Sequence, residues 1–333
     1  SRLASAGLQL VDSIWIFLQH HSWVLVLLFD LVWGFNYLIW GLIGLIRFIL
    51  ELFFLRSRLE LIPTSRHIRK EQVAIIMPAH NEELVIADSI RSLLRLTDQA
   101  HIFVVSDGST DKTAELAVSF GVNVLVNFPG KGKAGALESG IRHFELLKRY
   151  KAIVLVDADT RLRDDYLDNA LFYLRDERVV AVAGYAMTIW NPENLSAAQK
   201  FIILYRDRLY YLDQRRGKGG QTWAHTNVTA IIPGFASIYR TAALRHITMN
   251  PPGLVIEDFN MTFEVHHKKL GTITHHSDVV GFTQDPDNLR DYYKQITRWH
   301  LGFWQTIKLH GFWTGKFWIA MSILLFEVVV GNV

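Results

Sequence analysis

From Trp23 to Leu55 the chain is almost unbroken in apolar residues, its main polar breaks being Asp30, Asn36, Arg47 and Glu51. That run exceeds the ~20 residues of a bilayer-spanning helix and the ~7–15 of a signal-peptide core, and it predicts a span over about 23–46. Glycines at 34, 41 and 44 do not count against it, because glycine is common in membrane helices. A second run, Phe317 to Val330, follows Lys316 with only Ser322 and Glu327 polar, and reads as the start of another span. Gly7–Gln19 is a shorter apolar stretch, an interfacial helix or an extra span, separated from the main run by His20, His21 and Ser22. Arg56, Arg58, Arg66, Arg69 and Lys70 follow the first span, while only Arg2 precedes it. The positive-inside rule therefore places the middle of the chain in the cytoplasm.

Between the two ends the pattern changes period. Val73–Met77, His101–Ser106, Asn123–Phe128, Ala152–Val156 and Val179–Gly184 are short apolar runs that read as strands. Helical patterns lie near 82–96, 111–119, 133–149 and 165–175. The alternation predicts an α/β, Rossmann-like, mostly parallel, doubly wound sheet. Residues 193–215 form a long amphipathic stretch, and shorter pieces continue to about residue 285. Asp291–Trp313 is an amphipathic helix carrying Trp299, Trp304, Trp313 and several basic residues, a composition suited to a bilayer interface. The expected division is a membrane segment over 1–60, a cytoplasmic α/β domain over 61–287, an interface helix over 288–313 and the start of a C-terminal transmembrane helix over 314–333.

Composition narrows the classes. Half of the 333 residues are hydrophobic and the formal net charge is +3, too mild for a nucleic-acid partner in the absence of a basic stripe interleaved with aromatics. The absence of cysteine excludes disulfides and cysteine-ligated zinc. The 14 histidines include the neighbours His266–His267 and His275–His276, which cannot converge on one ion from a regular helix or strand and read as solvated or hydrogen-bonded side chains.

Candidate chemistry sits where apolar runs end. Asp157-Ala158-Asp159 closes the run Ala152–Val156, at the carboxyl end of a strand, where open α/β sheets bind ligands. Two carboxylates so spaced can share a Mg²⁺ or Mn²⁺ that also grips a substrate diphosphate. The first strand ends Met77-Pro78-Ala79-His80-Asn81-Glu82-Glu83, with Asn81 a candidate helix cap. The second ends Ser106-Asp107-Gly108-Ser109-Thr110-Asp111, where Asp107 is placed to accept from a uracil N–H and Ser109 or Thr110 to cap the next helix. Pro129-Gly130-Lys131-Gly132-Lys133 offers glycines for close approach and lysines for phosphate, but lacks the Gly-Lys-Ser/Thr ending of a P-loop. Ile256-Glu257-Asp258 opens a helical pattern, and one of its acids is a candidate general base. Pro233-Gly234-Phe235-Ala236-Ser237 is a small-residue turn that would let an acceptor approach. Gln295, Arg298 and Trp299 share one helical face, with arginine suited to pyrophosphate and indole to a sugar ring.

In this order, over about residues 71–310, these motifs resemble the membrane-embedded family-2 glycosyltransferases, the group of cellulose, chitin, hyaluronan and poly-N-acetylglucosamine synthases. The resemblance implies a GT-A fold and inverting transfer from a UDP-sugar. It assigns Ala79, Glu82, Asp107 and Lys133 to the nucleotide, Asp157 to the donor diphosphate, and Asp157 and Asp159 to the metal. It assigns Asp258, of the pair Glu257-Asp258, to the general base; Gln295 and Arg298 to the pyrophosphate; and Trp299, with Gly234 and Phe235, to the acceptor. Two positions depart from the usual pattern: Ile256 stands for threonine before the acidic pair, and Ile296 for the arginine that often follows glutamine.

The implied activity is transfer of N-acetylglucosamine or glucose to a growing β-linked polysaccharide by a multi-pass protein of the inner (plasma) membrane. Non-processive transfer of one sugar to a lipid or lipid-linked acceptor, and an inactive nucleotide-binding scaffold, are the alternatives. Implied partners are the UDP-sugar, a glycan or lipid-linked acceptor, membrane lipids and an additional membrane subunit, with Mg²⁺ or Mn²⁺ as cofactor.

Overall fold

The computed structural model describes residues 34–63, 67–189, 193 and 195–331. The elements are α1 (Phe35–Glu60), β1 (Val73–Ala79), α2 (Ile86–Leu94), β2 (Ile102–Asp107), α3 (Thr113–Ser119), β3 (Asn123–Asn127), α4 (Gly132–His143), α5 (Leu146–Arg149), β4 (Ala152–Val156), β5 (Arg161–Leu162) and α6 (Tyr166–Tyr173). They continue with β6 (Val179–Thr188), α7 (Ala197–Leu212), a π-turn (Asp213–Lys218), α8 (Gly219–Gln221), β7 (Ala236–Arg240), α9 (Thr241–Leu244), α10 (Glu257–His267), β8 (Thr272–Thr283), α11 (Leu289–His310) and α12 (Lys316–Gly331).

β1 is buried along its whole length, which is why its sequence is uniformly apolar rather than alternating. Its side chains still alternate between layers. Val73, Ile75 and Met77 pack with Ile86, Ile90 and Leu93 of α2, while Ala74 and Ile76 pack with Ala136, Leu137 and Ile141 of α4 on the other face. The sheet is thus covered on both sides.

The sheet has eight strands in the order β3-β2-β1-β4-β7-β6-β8-β5. β3, β2, β1 and β4 run parallel, as the alternating pattern predicts. The far half is mixed: β7 is antiparallel to both β4 and β6, β5 is antiparallel to β8, and β6 and β8 are parallel. The expectation of a mostly parallel sheet therefore holds for one half only. β7 matters for function, because an antiparallel neighbour starts where β4 ends and brings the Gly234-Phe235 segment beside Asp157. Two expected elements differ in extent. The helix over 133–149 breaks at Glu145, whose φ of 52° ends α4 before α5 begins. The strand expected to stop at Gly184 continues to Thr188, paired with β8 through two register shifts.

α1 is apolar outside and polar inside. Asn36, Trp40 and Arg47 are buried against the domain, whereas Leu42, Phe48, Leu52 and Phe53 are all more than 60% exposed. The 20 residues Phe35–Phe54 are long and apolar enough to cross a membrane. The expected span over 23–46 overlaps this helix only from Phe35 onward; its earlier part and the Gly7–Gln19 stretch lie outside the described residues. α12, the expected start of a second span, is described over 16 residues. Its Phe317, Trp318 and Met321 are buried with Phe263, Phe303 and Ile307 of α10 and α11. Among the described residues α1 alone meets the length and composition of a span, so spanning helices at both ends are not shown. The amphipathic helix expected over Asp291–Trp313 forms as α11, capped by the Asn288 side chain accepting from Asp291 N–H at 2.9 Å, and ends at His310, leaving Trp313 stacked on His267.

Candidate active site

The carboxyl ends of β1, β2 and β4 open on one cleft of about 560 Å³, lined by Ala79, Glu82, Asp107, Lys133, Asp157, Asp159 and Arg298 among others. Seven residues singled out from five motifs of the sequence thus meet in one place.

Lys133, in the first turn of α4, is the hub. Its Nζ lies 2.7 Å from Asp157 Oδ1 and 3.0 Å from Glu257 Oε1, tying the end of β4 to the start of α10. Burial disfavours the ammonium, but the charges of Asp157, Glu257 and Asp258 hold its pKa well above the ordinary lysine value. Asp258 is held by the Gly234 N–H, which donates to Oδ2 at 2.9 Å. Gly234 is required by space: a Cβ there would lie 2.3 Å from Asp258 Oδ1 and 3.1 Å from Lys133 Nζ. Burial and the neighbouring Glu257 charge raise the Asp258 pKa well above the aspartate range, against the opposing pull of Lys133 and the Gly234 N–H. Glu257 goes the other way. Burial would raise it, but Lys133 and its hydrogen bonds bring it below its ordinary value. The adjacent acids are thus shifted in opposite directions, Asp258 up and Glu257 down.

On the other side of Asp157, burial and the Asp157 charge push Asp159 up to about 6. Glu82 rises to about 7, through burial first and then through Asp159, Asp157 and Asp111. Carboxylates crowded enough to raise one another call for a cation. Among the described residues no three His, Cys, Asp or Glu side chains converge to cage one unaided. Asp157 and Asp159 fit a hard divalent ion of the kind that takes one or two carboxylates and completes its shell with substrate phosphate and water.

The loops are held differently from expectation. Asp107 accepts from the Lys131 N–H at 2.8 Å and from Asn127 Nδ2 at 2.9 Å, so much of its carboxylate shapes the glycine-rich loop. Asn81 does not cap α2, which begins only at Ile86; its Oδ1 accepts from Thr110 N–H at 2.8 Å and joins the two strand-end loops. The end of α3 expected to be capped by Ser109 or Thr110 instead uses Asp111, which accepts from Thr113 N–H at 3.0 Å. Phe235 contributes its backbone, its carbonyl accepting from the Asp157 N–H at 3.1 Å.

The three residues of α11 separate. Arg298 lines the cleft. Gln295 does not, and its Oε1 is buried without a partner. Trp299 turns toward α7, its ring centroid 6.4 Å from that of Tyr210 and 5.8 Å from the Arg206 guanidinium. Arg206 escaped the sequence reading. It is 3% exposed and pairs with Asp285 at 3.2 Å, and the available signal was an arginine within the apolar positions of an amphipathic helix. Of the paired histidines, His275 is buried and His266 half-buried, and both are hydrogen-bonded, to the Ala183 and Thr229 carbonyls, one of the two outcomes expected.

The chain is 26% identical over 288 residues to the poly-β-1,6-N-acetyl-D-glucosamine synthase of Staphylococcus epidermidis, covering 81% of this chain and 64% of that protein. It is 28% identical over 258 residues to the probable glycosyltransferase YdaM of Bacillus subtilis, covering 72% of this chain and 58% of the relative. The chain therefore spans about six-tenths of the length of these curated relatives. Its fold resembles that of a mannosyltransferase from Pyrobaculum calidifontis, solved with GDP-Man and Mn²⁺, with a TM-score of 0.59 at 18% identity over 89% of this chain and 81% of that one. This supports a GT-A-like fold. Residues 74–247 match the family described as glycosyl transferase family 2, and with more than half of its length so matched the chain belongs to that family.

Proposed function

We propose that this chain is the catalytic part of a membrane-anchored, inverting glycosyltransferase that passes N-acetylglucosamine or glucose from a UDP-sugar to a growing β-linked polysaccharide. The observation that carries this reading is the Lys133 bridge, because it joins the acid at the end of β4, which lines the cleft, to the acidic pair of α10 buried beside it. Donor and acceptor chemistry need such neighbouring halves. The names of the staphylococcal relatives favour a poly-N-acetylglucosamine product, and the Pyrobaculum enzyme was solved with a nucleotide sugar and Mn²⁺. The exposed apolar face of α1 supports anchoring, with the catalytic domain, about 61–287, on the cytoplasmic side.

In this reading Ala79, Glu82 and Asp107 border the nucleoside, while Lys133 and Arg298 face the diphosphate. Asp157 and Asp159 hold Mg²⁺ or Mn²⁺, which supplies charge against the leaving diphosphate. Asp258 takes the acceptor hydroxyl proton as that oxygen attacks the anomeric carbon. Its raised pKa makes it a stronger base than a free aspartate, and cancelling the Asp157 charge removes one of the contributions that raise it. Glu257 keeps Lys133 in place. Trp299 reaches the acceptor only by leaving Tyr210, and Gln295 reaches the diphosphate only if α11 moves.

The test is a panel of nucleotide sugars scored by nucleotide release with Mg²⁺ or Mn²⁺. UDP release from UDP-N-acetylglucosamine or UDP-glucose, abolished by EDTA, is expected. Turnover of none of the UDP-sugars, or turnover indifferent to EDTA, would contradict the reading. Product length by mass spectrometry then separates polymer growth from a single transfer.

A further inference from the structure

α11 carries Arg298 to the cleft, and its next turn packs on the segment that opens α10. Gly302, one turn beyond Arg298, is buried. It lies so close to Ile256 that a Cβ there would come 2.8 Å from Ile256 Cβ, 2.9 Å from Cγ1 and 3.1 Å from Cδ1. Carbon atoms prefer separations of about 3.5–4.0 Å, so only glycine fits without displacement. Glycine is otherwise a poor residue for a helix interior, and what it supplies here is space. Ile256 is 7% exposed, has extended backbone angles and immediately precedes Glu257 and Asp258.

α11 grips the chain on both sides of that acidic pair. Before the pair, the Val255 N–H donates to Gln305 Oε1 at 3.1 Å, and Ile256 meets Gly302. After it, the Phe259 ring centroid lies 5.3 Å from that of Phe303, and Oδ1 of the fully buried Asn260 lies 2.8 Å from His310 Nε2. The acids themselves are held from other elements, Glu257 by Lys133 of α4 and Asp258 by the Gly234 N–H. α11 is thus placed against a fixed pair of carboxylates, and its closest approach to them is at Gly302.

We propose that Gly302 and Ile256 are positioning residues, whose contact sets how far Arg298 on α11 stands from Asp258 on α10. The inference rests on the roles proposed above for Arg298 at the diphosphate and Asp258 at the acceptor hydroxyl. Neither Gly302 nor Ile256 lines the cleft. A methyl at position 302 pushes α11 away from Ile256 by up to about 1 Å, the difference between 2.8 Å and an ordinary carbon contact. Arg298 sits about 6 Å along the same helix and moves with it. A misplacement of about 1 Å can cost 10²-fold in rate. The nucleoside and the metal are held by residues at the ends of β1, β2 and β4 in that reading, so they are spared.

The test measures steady-state UDP release in detergent, beside Mn²⁺-dependent UDP binding by calorimetry and the thermal midpoint. Gly302→Ala should lower kcat about 10–100-fold, with donor KM little changed. Ile256→Gly removes all three crowded atoms, and adding it to Gly302→Ala should restore most of the lost kcat. Ile256→Ala keeps Cβ and should restore less; it carries the comparison if the glycine variant does not fold. Normal kcat in Gly302→Ala, a loss that falls on donor KM alone, or effects of the two substitutions that simply multiply would each overturn the proposal and leave the glycosyltransferase reading standing. A thermal midpoint that falls with kcat, neither recovering in the double variant, would mark a packing defect and also overturn it. Release of nucleotide from no UDP-sugar by the unmodified chain would bring down the functional reading, and this inference with it.

Discussion

Asp258 carries the sharpest demand on any single side chain, since it must be buried enough to be basic and yet reachable by an acceptor. Asp258→Asn keeps the shape and the Gly234 contact but cannot take a proton. It should lower turnover by about 10²–10⁴-fold while UDP affinity by calorimetry stays close to that of the unmodified chain; near-normal turnover would remove Asp258 from the base role. Asp159→Ala should instead lose the Mn²⁺-dependent part of UDP binding, and an unchanged affinity would contradict the metal assignment. Gly234→Ala tests the packing of the site, because its methyl would lie 2.3 Å from Asp258 Oδ1. Turnover is expected to fall with Mn²⁺-dependent UDP binding retained. The acids were legible in the sequence because charge interrupts apolar strands at Asp107 and Asp157. The Lys133 bridge was not, since its partner Glu257 is distant in the chain and meets it only after β4, α4 and α10 pack together.

At the scale of elements, a buried ion pair joins α7 to the segment between β8 and α11. Arg206 and Asp285 are each 3% exposed at the side chain, and Thr188 Oγ1 adds a second hydrogen bond to Asp285 at 2.7 Å. The guanidinium also lies 4.8 Å from the Tyr292 ring centroid, so Arg206 packs under the face of α11 that carries Trp299. Removing one partner of such a pair leaves a buried charge uncompensated. Arg206→Met should therefore cost about 3–5 kcal/mol, read as a lower unfolding midpoint in detergent. Replacing both partners, Arg206→Met with Asp285→Leu, should recover most of it; failure to recover would mean that Arg206 acts through its ring contacts instead. Hydrophobic period made the elements of the parallel half readable, and β4 forms over the residues expected. β7 escaped because an antiparallel insertion depends on which strands meet in space, and no local pattern encodes that.

For the whole molecule, the arrangement of α1 decides how the catalytic domain meets its surroundings. A helix on a water-soluble surface hides its apolar stripe and exposes its charges. α1 does the reverse among the described residues, with Arg47 5% exposed and Phe53 66% exposed, which supports the proposed membrane anchoring. The length of the apolar run was enough to predict a span; which face would turn inward was not, because Asn36, Arg47 and Glu51 read simply as interruptions. They are the docking face. Packing is also close, since a Cβ at Gly220 would lie 2.2 Å from the Trp40 carbonyl oxygen. Arg47 then connects α1 to α8 at Gly219, to Thr222 and to β8 at Thr274 and His276. Lysine has the charge but not the planar fork that reaches several acceptors at once, so Arg47→Lys should not restore what Arg47→Leu removes. Both variants should unfold at lower temperature in detergent, with the acidic cleft still binding UDP and Mn²⁺ below that midpoint. An unchanged midpoint in Arg47→Leu would mean that apolar packing around Trp40 alone holds the helix, and that the polar inner face is not what fixes it to the domain.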